Sequence, residues 1–416
     1  MGNDARVLAP VSPEPHQRTA APGRGGGTDF GGGWRLRSLA AIALACAAGG
    51  LGAEPLITAS AAVVLDAESG RVLFSRSADA RRFPASTTKI LTALLLAEHC
   101  EPLTEIRAPL DVQQVGGSSL YLEPAERVRA EDLLHALLLR SANDAAYAVA
   151  VHIAGSQEAF ADLMNERAKQ IGCTGSNFTN PHGLHDPLHY TTARDLALIT
   201  REALRNERFR QAAKATRKSI WRSTNLEDTL LINKNRLLVV DPDAVGVKTG
   251  YTNPAGHCFV GARFRDGWTA VVVVLNSADW LADTRSLLDW AFAEHQVTTI
   301  VSEDEAIASA TVAGGEREAV SAVAAHDVRA ALAMGDGVID TQVELANLSA
   351  PIRAGQQVGE LRITLSGGDK FSVPLVAAEA VHPAESRPVP FQWLWATLGI
   401  TLVGAGVVLL ARARNG

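Results

Sequence analysis

Residues 84–98 read PASTTKILTALLLAE, and this stretch decides the fold of the 416-residue chain. A proline precedes Ser86 and Lys89, and an apolar run follows them. The apolar side chains recur at helical spacing at Ile90, Leu91, Leu94 and Leu95. This pattern predicts a buried helix from Ser86 to about Glu98. Since residues three apart share a helical face, we expect Ser86 and Lys89 to meet in the first turn.

Strand patterns lie on both sides of a helical middle region. Residues 61–66 and 71–75 alternate around a turn at 68–70, which predicts a hairpin. Helices are predicted at 130–139, 144–154, 157–171, 192–204 and 280–293, and strands at 245–248, 257–264 and 268–275. The turn Asp266-Gly267 joins the last two strands. The economical arrangement is a mixed α/β (α+β) domain, with one antiparallel sheet flanked by helices and both ends of the domain in the sheet.

The character of the chain changes near Val297, where short β segments and glycine turns begin. Candidate strands lie at 310–313, 341–345, 358–365 and 371–377, separated by turns at 314–315, 335–337 and 367–369. The segment has neither a candidate nucleophile nor a set of metal-ligating residues. It predicts a small C-terminal β-sandwich.

Both ends of the chain carry signals of cellular location. Residues 1–33 are rich in Gly, Pro and Arg, and Arg35 and Arg37 precede an apolar run at 39–48, as in a secretory signal peptide. Residues 393–411 contain no charge and are long enough to span a bilayer. Arg412 and Arg414 follow and would stay cytoplasmic. The sequence therefore predicts export to the extracytoplasmic (periplasmic) face and a C-terminal transmembrane helix.

These patterns predict four regions. They are a disordered tail with a signal peptide (1–53), a catalytic domain (54–296), a β domain (297–385) and a linker with a membrane anchor (386–416).

Composition excludes several classes of function. Aromatic residues make up 5% of the chain and the formal net charge is -6, so nothing favours nucleic-acid binding. The four cysteines form no CxxC motif; Cys46 lies in the apolar leader, and Cys100, Cys173 and Cys258 are interpreted as small buried hydrophobes. His182, His185 and His189 stand at loop-like spacing, which favours structural histidines over metal ligands. No metal and no cofactor is predicted.

Three short motifs carry the predicted chemistry. They are Ser86-Thr87-Thr88-Lys89, Ser141-Ala142-Asn143 and Lys248-Thr249-Gly250. A serine hydroxyl is a weak nucleophile unless a nearby base accepts its proton. Lys89 can be that base only as a free amine, which burial and a second cation favour. Lys248 is the expected second cation.

The remaining motif residues are predicted to bind the substrate. Lys248 stays protonated and attracts a terminal carboxylate, to which Thr249 donates a hydrogen bond. Gly250 allows close backbone approach, and an edge strand here would bind an extended peptide by strand addition. Ser141 relays a proton to the leaving amine, and Asn143 holds the neighbouring amide. The backbone N–H groups of Ser86 and Tyr251 form an oxyanion hole.

The three motifs, in this order, resemble those of the low-molecular-mass penicillin-binding D-alanyl-D-alanine carboxypeptidases. The segments 84–89, 141–146, 180–184 and 247–252 carry the resemblance, and 350–356 and 373–377 extend it into the β domain. It implies a serine β-lactamase/transpeptidase-like fold, with Ser86 as the acylated residue and Lys89 as the base. It also implies peptidoglycan stem peptides as substrates and β-lactams as mimics that acylate Ser86.

Two positions depart from the family pattern. Ala142 replaces the more usual glycine of the second motif. The arginine expected soon after the strand ending at Leu275 is replaced by the segment 276–280, and Arg285 comes only later. Recognition of the carboxylate is therefore assigned to Lys248 and Thr249, and Arg285 is left out of the site.

Other functions remain open. A D,D-endopeptidase acting on cross-links would carry the same motifs, and a non-catalytic penicillin-binding scaffold of the cell wall would suit the β domain and the anchor. A β-lactamase of the commonest class is disfavoured, because no ExxLN loop lies between Asn143 and Lys248.

Overall fold

The structure, a computed structural model, describes residues 54–385. The predicted tail, signal peptide, Cys46 and C-terminal membrane segment lie outside these residues. Among the helices at 54–385, none has the length and apolar character needed to cross a membrane.

The described residues form seventeen strands and eight helices. The strands are β1 (Ala61–Asp66), β2 (Val72–Arg76), β3 (Glu105–Arg107), β4 (Arg127–Arg129), β5 (Arg217–Ser219), β6 (Leu230–Ile232), β7 (Ala244–Thr252), β8 (Gly256–Arg265), β9 (Trp268–Ser277), β10 (His295–Val301), β11 (Ala306–Ala313), β12 (Ala319–Ala324), β13 (Val328–Ala333), β14 (Val338–Leu345), β15 (Leu348–Ser349), β16 (Gln357–Leu365) and β17 (Lys370–Ala377). The helices are α1 (Lys89–His99), α2 (Ala130–His135), α3 (Asn143–Ala154), α4 (Gln157–Ile171), α5 (Ala193–Arg205), α6 (Glu207–Lys214), α7 (Leu237–Val240) and α8 (Trp280–Glu294).

A five-stranded antiparallel sheet organises the catalytic region, in the order β2-β1-β9-β8-β7. Its central strand β9 carries the run Val271–Val274, which is buried on both faces. Val271 and Val273 contact the helical core, while Val272 and Val274 contact the core beside α8. Asp266 and Gly267, both with positive φ, close the predicted β8–β9 hairpin. The expectation of one antiparallel sheet flanked by helices is confirmed.

Helix α1 lies at the centre of the helical layer. Its residues from Lys89 to Leu96 are all buried. A helix that is buried on every side needs neighbours all round, and here α3, α4, α5 and α6 pack against it. The helices predicted in this region are confirmed to within two residues, apart from α1, which begins three residues later than predicted, and the region after Ala130. There α2 ends at His135 and a π-helical turn at Ala136–Arg140 follows.

The β domain begins as soon as α8 ends, since β10 starts at His295. Six of its strands form a sheet in the order β14-β16-β17-β12-β11-β15, and β10 pairs with β13. All four predicted strands are confirmed as parts of longer ones. Strands β12 (AVSAVA) and β13 (VRAALA) were not predicted, because alanine is a weak β former. Their burial against a common core stabilises them in the structure.

A buried arginine links the β domain to the sheet. Arg71, 9% exposed, lies within 2.6 Å of Asp336 and 2.7 Å of Asp369, and it donates to the carbonyl oxygen of Ala331. Asp66 on β1 accepts the backbone N–H of Ala331. The turn between β1 and β2 is therefore fixed to the β domain by charged hydrogen bonds.

Candidate active site

Ser86 lies in a short 3₁₀ turn, Ala85–Thr88, and α1 itself begins at Lys89 rather than at Ser86 as predicted. The hydroxyl groups of Thr87 and Thr88 donate to the carbonyl oxygens of Pro84 and Ala85. Such local bonds compete with α-helical geometry, so the first turn tightens. The Ser86 side chain is half-buried, and the turn that carries it packs against β7.

The Lys89 amine is enclosed and lies within reach of the Ser86 hydroxyl. Its Nζ atom is 3.1 Å from Ser86 Oγ, 2.6 Å from Asn143 Oδ1 and 2.6 Å from the carbonyl oxygen of His182. Burial, and next the neighbouring ammonium of Lys248, hold the pKa of Lys89 well below its ordinary value. The structure thus joins the first two predicted motifs in one contact network.

Asn143, at the start of α3, connects the amine to the loop 116–122. Its Nδ2 group donates to the carbonyl oxygen of Gly116, and its backbone N–H donates to that of Ser118. The next residue, Asp144, accepts the backbone N–H groups of Leu120 and Leu122. The Asp144 carboxylate, in the first turn of α3, therefore fixes this loop beside the site.

Ser141 occupies the position between the π-helical turn and α3. Its φ of 65° is left-handed and its side chain is 5% exposed. Within residues 54–385 its hydroxyl makes no hydrogen bond, in contrast to Asn143. It lies in the same motif as Asn143, and its role as a proton relay remains a prediction.

Lys248 and Thr249 lie on β7, the edge strand of the sheet. Lys248 is 1% exposed and donates to the carbonyl oxygen of Thr249 at 2.8 Å. Burial, and then the ammonium of Lys234, lower the pKa of Lys248 to about 7. From the sequence, Lys248 was expected to stay protonated, but with this pKa a substantial fraction of the side chain is uncharged near neutral pH. A bound carboxylate would raise that pKa again, since an opposite charge favours the protonated form.

Gly250 brings β7 against the turn that carries Ser86. A Cβ atom at this position would lie 3.1 Å from the carbonyl oxygen of Pro84 and 3.1 Å from the backbone nitrogens of Ser86 and Thr87. Glycine is thus favoured here by the backbone of the turn that carries Ser86, and not only by the approach of a substrate backbone. The next residue, Tyr251, has an exposed side chain whose ring contacts His257. Gly250 therefore allows β7 to pack directly against the backbone of the turn that carries Ser86.

The loop 180–189 contributes to the site, although none of its residues was predicted to do so. The carbonyl of His182 accepts from Lys89, and a Cβ at Gly183 would lie 1.8 Å from the carbonyl oxygen of Ala85. His189 Nε2 lies 2.8 Å from Thr88 Oγ1, while its Nδ1 accepts the N–H of Thr179. The loop therefore packs against the turn that carries Ser86 and contacts its residues Ala85 and Thr88.

Both buried histidines of this loop are held neutral. Burial, and next the cation of Lys89, lower the pKa of His182 to about 3. Burial lowers the pKa of His189 to about 4. In each ring Nδ1 accepts a backbone N–H, which assigns the proton to Nε2. These rings act as hydrogen-bond partners and add no charge beside Lys89.

Lys234 is a further cation that sequence reasoning missed. It is exposed, its Nζ lies 3.5 Å from Ser118 Oγ, and its charge lowers the pKa of both buried lysines. It belongs to no recognisable motif, and only the fold places it near Lys248. Arg285, in contrast, is exposed on α8, which packs on the other face of the sheet.

Comparisons with known proteins match both domains of the chain. The profile of the D-alanyl-D-alanine carboxypeptidase family matches residues 51–279, and that of the C-terminal domain of penicillin-binding protein 5 matches residues 295–383. The chain is 30% identical to D-alanyl-D-alanine carboxypeptidase DacF of Bacillus subtilis over 78% of its own length and 86% of the relative's. It is 30% identical to DacC of Escherichia coli over 79% and 85% of the two chains.

A solved structure shows the same fold over both domains. Penicillin-binding protein 5 of Haemophilus influenzae superposes with a TM-score of 0.67 at 27% identity. The match covers 79% of this chain and 99% of the other.

Proposed function

The chain belongs to the D-alanyl-D-alanine carboxypeptidase family, and on that premise we propose that it removes the terminal D-alanine of peptidoglycan stem peptides through an acyl-enzyme on Ser86. The observation that carries this proposal is the contact between the buried Lys89 amine and the Ser86 hydroxyl at 3.1 Å. An uncharged amine at this distance accepts the hydroxyl proton as the oxygen attacks.

The first half of the reaction forms the ester. Ser86 Oγ bonds to the carbonyl carbon of the penultimate residue while its proton passes to Lys89 Nζ. The carbonyl oxygen becomes an oxyanion, which the backbone N–H groups of Ser86 and Tyr251 stabilise. The C–N bond then breaks, and the leaving nitrogen takes the proton held by Lys89, relayed through Ser141, so that Lys89 is again a neutral amine. D-Alanine leaves as a neutral amine.

The second half regenerates the enzyme. A water molecule gives its proton to Lys89 and attacks the ester carbon, the bond to Ser86 Oγ breaks, and the serine recovers its proton. The shortened peptide leaves as a carboxylate. A β-lactam would follow the first half only, since the opened ring stays attached to the ester and no leaving group departs.

Substrate recognition follows from the third motif and from the sheet. The ammonium of Lys248 attracts the terminal carboxylate, and the Thr249 hydroxyl donates to it. Gly250 keeps β7 close to Ser86, and the free edge of β7 suits an extended peptide bound by strand addition. The amide Nδ2 of Asn143 is the donor that would hold the amide of the substrate.

The direct test is mass spectrometry of D-alanine released from a pentapeptide and from a cross-linked peptide dimer. The native enzyme is expected to release D-alanine from the pentapeptide, and Ser86→Ala and Lys89→Ala are expected to release none. Preferential cleavage of the dimer would instead favour a D,D-endopeptidase. Cleavage of neither peptide would favour a non-catalytic scaffold.

We also propose that the protein acts at the extracytoplasmic face of the membrane, held there by residues 393–411. The basic and apolar N-terminal pattern and the uncharged C-terminal segment support this proposal. Removing residues 386–416 is expected to release the enzyme from the membrane fraction, whereas the unaltered chain sediments with membranes. Equal sedimentation of both forms would contradict the anchor.

A further inference from the structure

A second cavity adjoins the turn that carries Ser86. It has a volume of about 470 Å³, and its lining includes Arg81, Arg82, Phe83, Tyr190, Pro254 and Asn276. Phe83 stands three residues before Ser86, and its carbonyl lies 3.5 Å from the sulfur of Cys258. A larger cavity, of about 610 Å³, lies at the opposite end of the sheet beside Val245 and Trp268, and none of the predicted site residues line it.

The lining of the cavity includes two guanidinium groups, those of Arg81 and Arg82. Neither Arg81 nor Arg82 forms an ion pair with a residue in the part of the chain that the structure describes, and no acidic residue lines the cavity. The guanidinium of Arg81 lies 4.5 Å from the ring centroid of Tyr190, and Arg82 donates to the carbonyl oxygen of Arg81. The nearby Asp79 is taken by Arg194 at 2.7 Å.

The polarity of the bound peptide places this cavity on its upstream side. The terminal carboxylate is assigned to Lys248 and Thr249, and the scissile carbonyl to the N–H groups of Ser86 and Tyr251. A peptide added along β7 therefore runs from Thr252 towards Lys248, antiparallel to the strand. Its residues before the D-alanyl-D-alanine end extend towards the turn after β7, which contains Pro254 and lines the cavity.

We infer that this cavity is a subsite for a carboxylate carried by the substrate upstream of its D-alanyl-D-alanine end, with Arg81 and Arg82 as the specificity-determining residues. The inference rests on the proposed function. Guanidinium groups match carboxylates in geometry and charge, and Tyr190 keeps the Arg81 group oriented. The chemical class of ligand is an acidic peptide. The acylamino side chain of the penicillin used as a probe carries no carboxylate, so we expect its reaction with Ser86 not to depend on the charge of the subsite.

The test compares two pentapeptides that differ only in one upstream side group, a free carboxylate in one and its carboxamide in the other. Arg81→Gln and Arg82→Gln are measured against Arg107→Gln, which removes the same charge from the exposed strand β3. Each variant at the cavity is expected to raise KM for the acidic peptide roughly three- to tenfold, with kcat unchanged, because a partly exposed charge pair contributes about 1 kcal/mol. KM for the amide peptide and the rate of acylation by penicillin should not change.

A second measurement does not depend on turnover. The acidic peptide is expected to slow labelling of Ser86 by fluorescent penicillin in the native enzyme, and to do so less in Arg81→Gln and Arg82→Gln. Equal protection by both peptides in all forms, or an equal loss in Arg107→Gln, would overturn the inference. If the native enzyme bound both peptides but released no D-alanine, the proposed function would fail while the subsite could still be judged by protection.

Discussion

Lys89 is the residue whose state of charge decides whether Ser86 can react. Its amine is fully buried and contacts three groups, the Ser86 hydroxyl, the Asn143 side-chain oxygen and the His182 carbonyl oxygen. Replacement by methionine keeps the volume and removes the base. We expect acylation of Ser86 by fluorescent penicillin to fall by at least roughly 100-fold in Lys89→Met. Circular dichroism should show an unchanged fold, and labelling at the native rate would contradict the role.

The two buried lysines predict how activity depends on pH. Lys89 must be uncharged, so kcat/KM should rise as pH passes upward through its depressed pKa. Lys248 must be charged, so kcat/KM should fall above the pKa of about 7 that the free enzyme has. The profile is therefore bell-shaped.

The variant Lys248→Arg separates the two limbs of that profile. A guanidinium stays charged throughout, so the alkaline limb should move to higher pH while the acid limb stays. The measurement is D-alanine release from a pentapeptide at several pH values. An alkaline limb that does not move in Lys248→Arg would assign it to another group.

At the scale of elements, the turn carrying Ser86 is held by a loop that tolerates no side chain at Gly183. This residue has a φ of +81°, and an added Cβ would meet the Ala85 carbonyl oxygen at 1.8 Å. Gly183→Ala is therefore expected to lower the free energy of unfolding by roughly 3 kcal/mol or more and to slow acylation of Ser86.

Gly155 is the matched control for this substitution. It has a φ of +83° at the end of α3, with open space around it. Gly155→Ala should cost only about 1 kcal/mol, with no change in acylation. Urea unfolding and penicillin labelling of both variants measure the difference. Equal effects at the two glycines would show that backbone conformation alone matters.

The loop 116–122 depends on the carboxylate of Asp144. This group accepts the N–H groups of Leu120 and Leu122 and the hydroxyl of Ser119, and the loop in turn fixes Asn143. We expect Asp144→Ala to lower kcat/KM about tenfold and stability by about 2–3 kcal/mol. Ser119→Ala removes one of these bonds and should cost about 1 kcal/mol. A fully active Asp144→Ala would separate the loop from catalysis.

The sequence predicted those elements whose patterns are local. The periodicity of α4 and α5 and the turn at Asp266-Gly267 are complete in the sequence, so their positions were found. The 3₁₀ turn at Ser86 was missed because it depends on threonine hydroxyls and on packing against Gly250. Lys234 and the carbonyl of His182 were missed for a related reason, since only tertiary contacts bring them to Lys89 and Lys248.

At the scale of the whole molecule, Arg71 is the main charged contact between the sheet and the β domain. Its replacement leaves two carboxylates, Asp336 and Asp369, without their partner. Arg71→Gln is expected to weaken the attachment by about 2–3 kcal/mol, so limited proteolysis near residue 295 should become faster. Acylation of Ser86 should be unchanged, because no site residue contacts Arg71.

Arg317 provides the control for this prediction. It pairs with Glu379 on the exposed surface of the β domain. Arg317→Gln should not change the rate of proteolysis, since exposed pairs contribute little. Slower labelling of Ser86 in Arg71→Gln would instead mean that the β domain influences the site.

The pairing of β1 with β9 has a consequence for how the protein is made. Ala61 lies opposite Leu275, so the first strand of the sheet waits for a partner synthesised more than two hundred residues later. Until the chain has been completed past Ser277, the valine-rich centre of the sheet, which packs against the helical core, is missing. We therefore expect a nascent chain to react with neither substrate nor penicillin until the long-range pairing of β1 with β9 has formed.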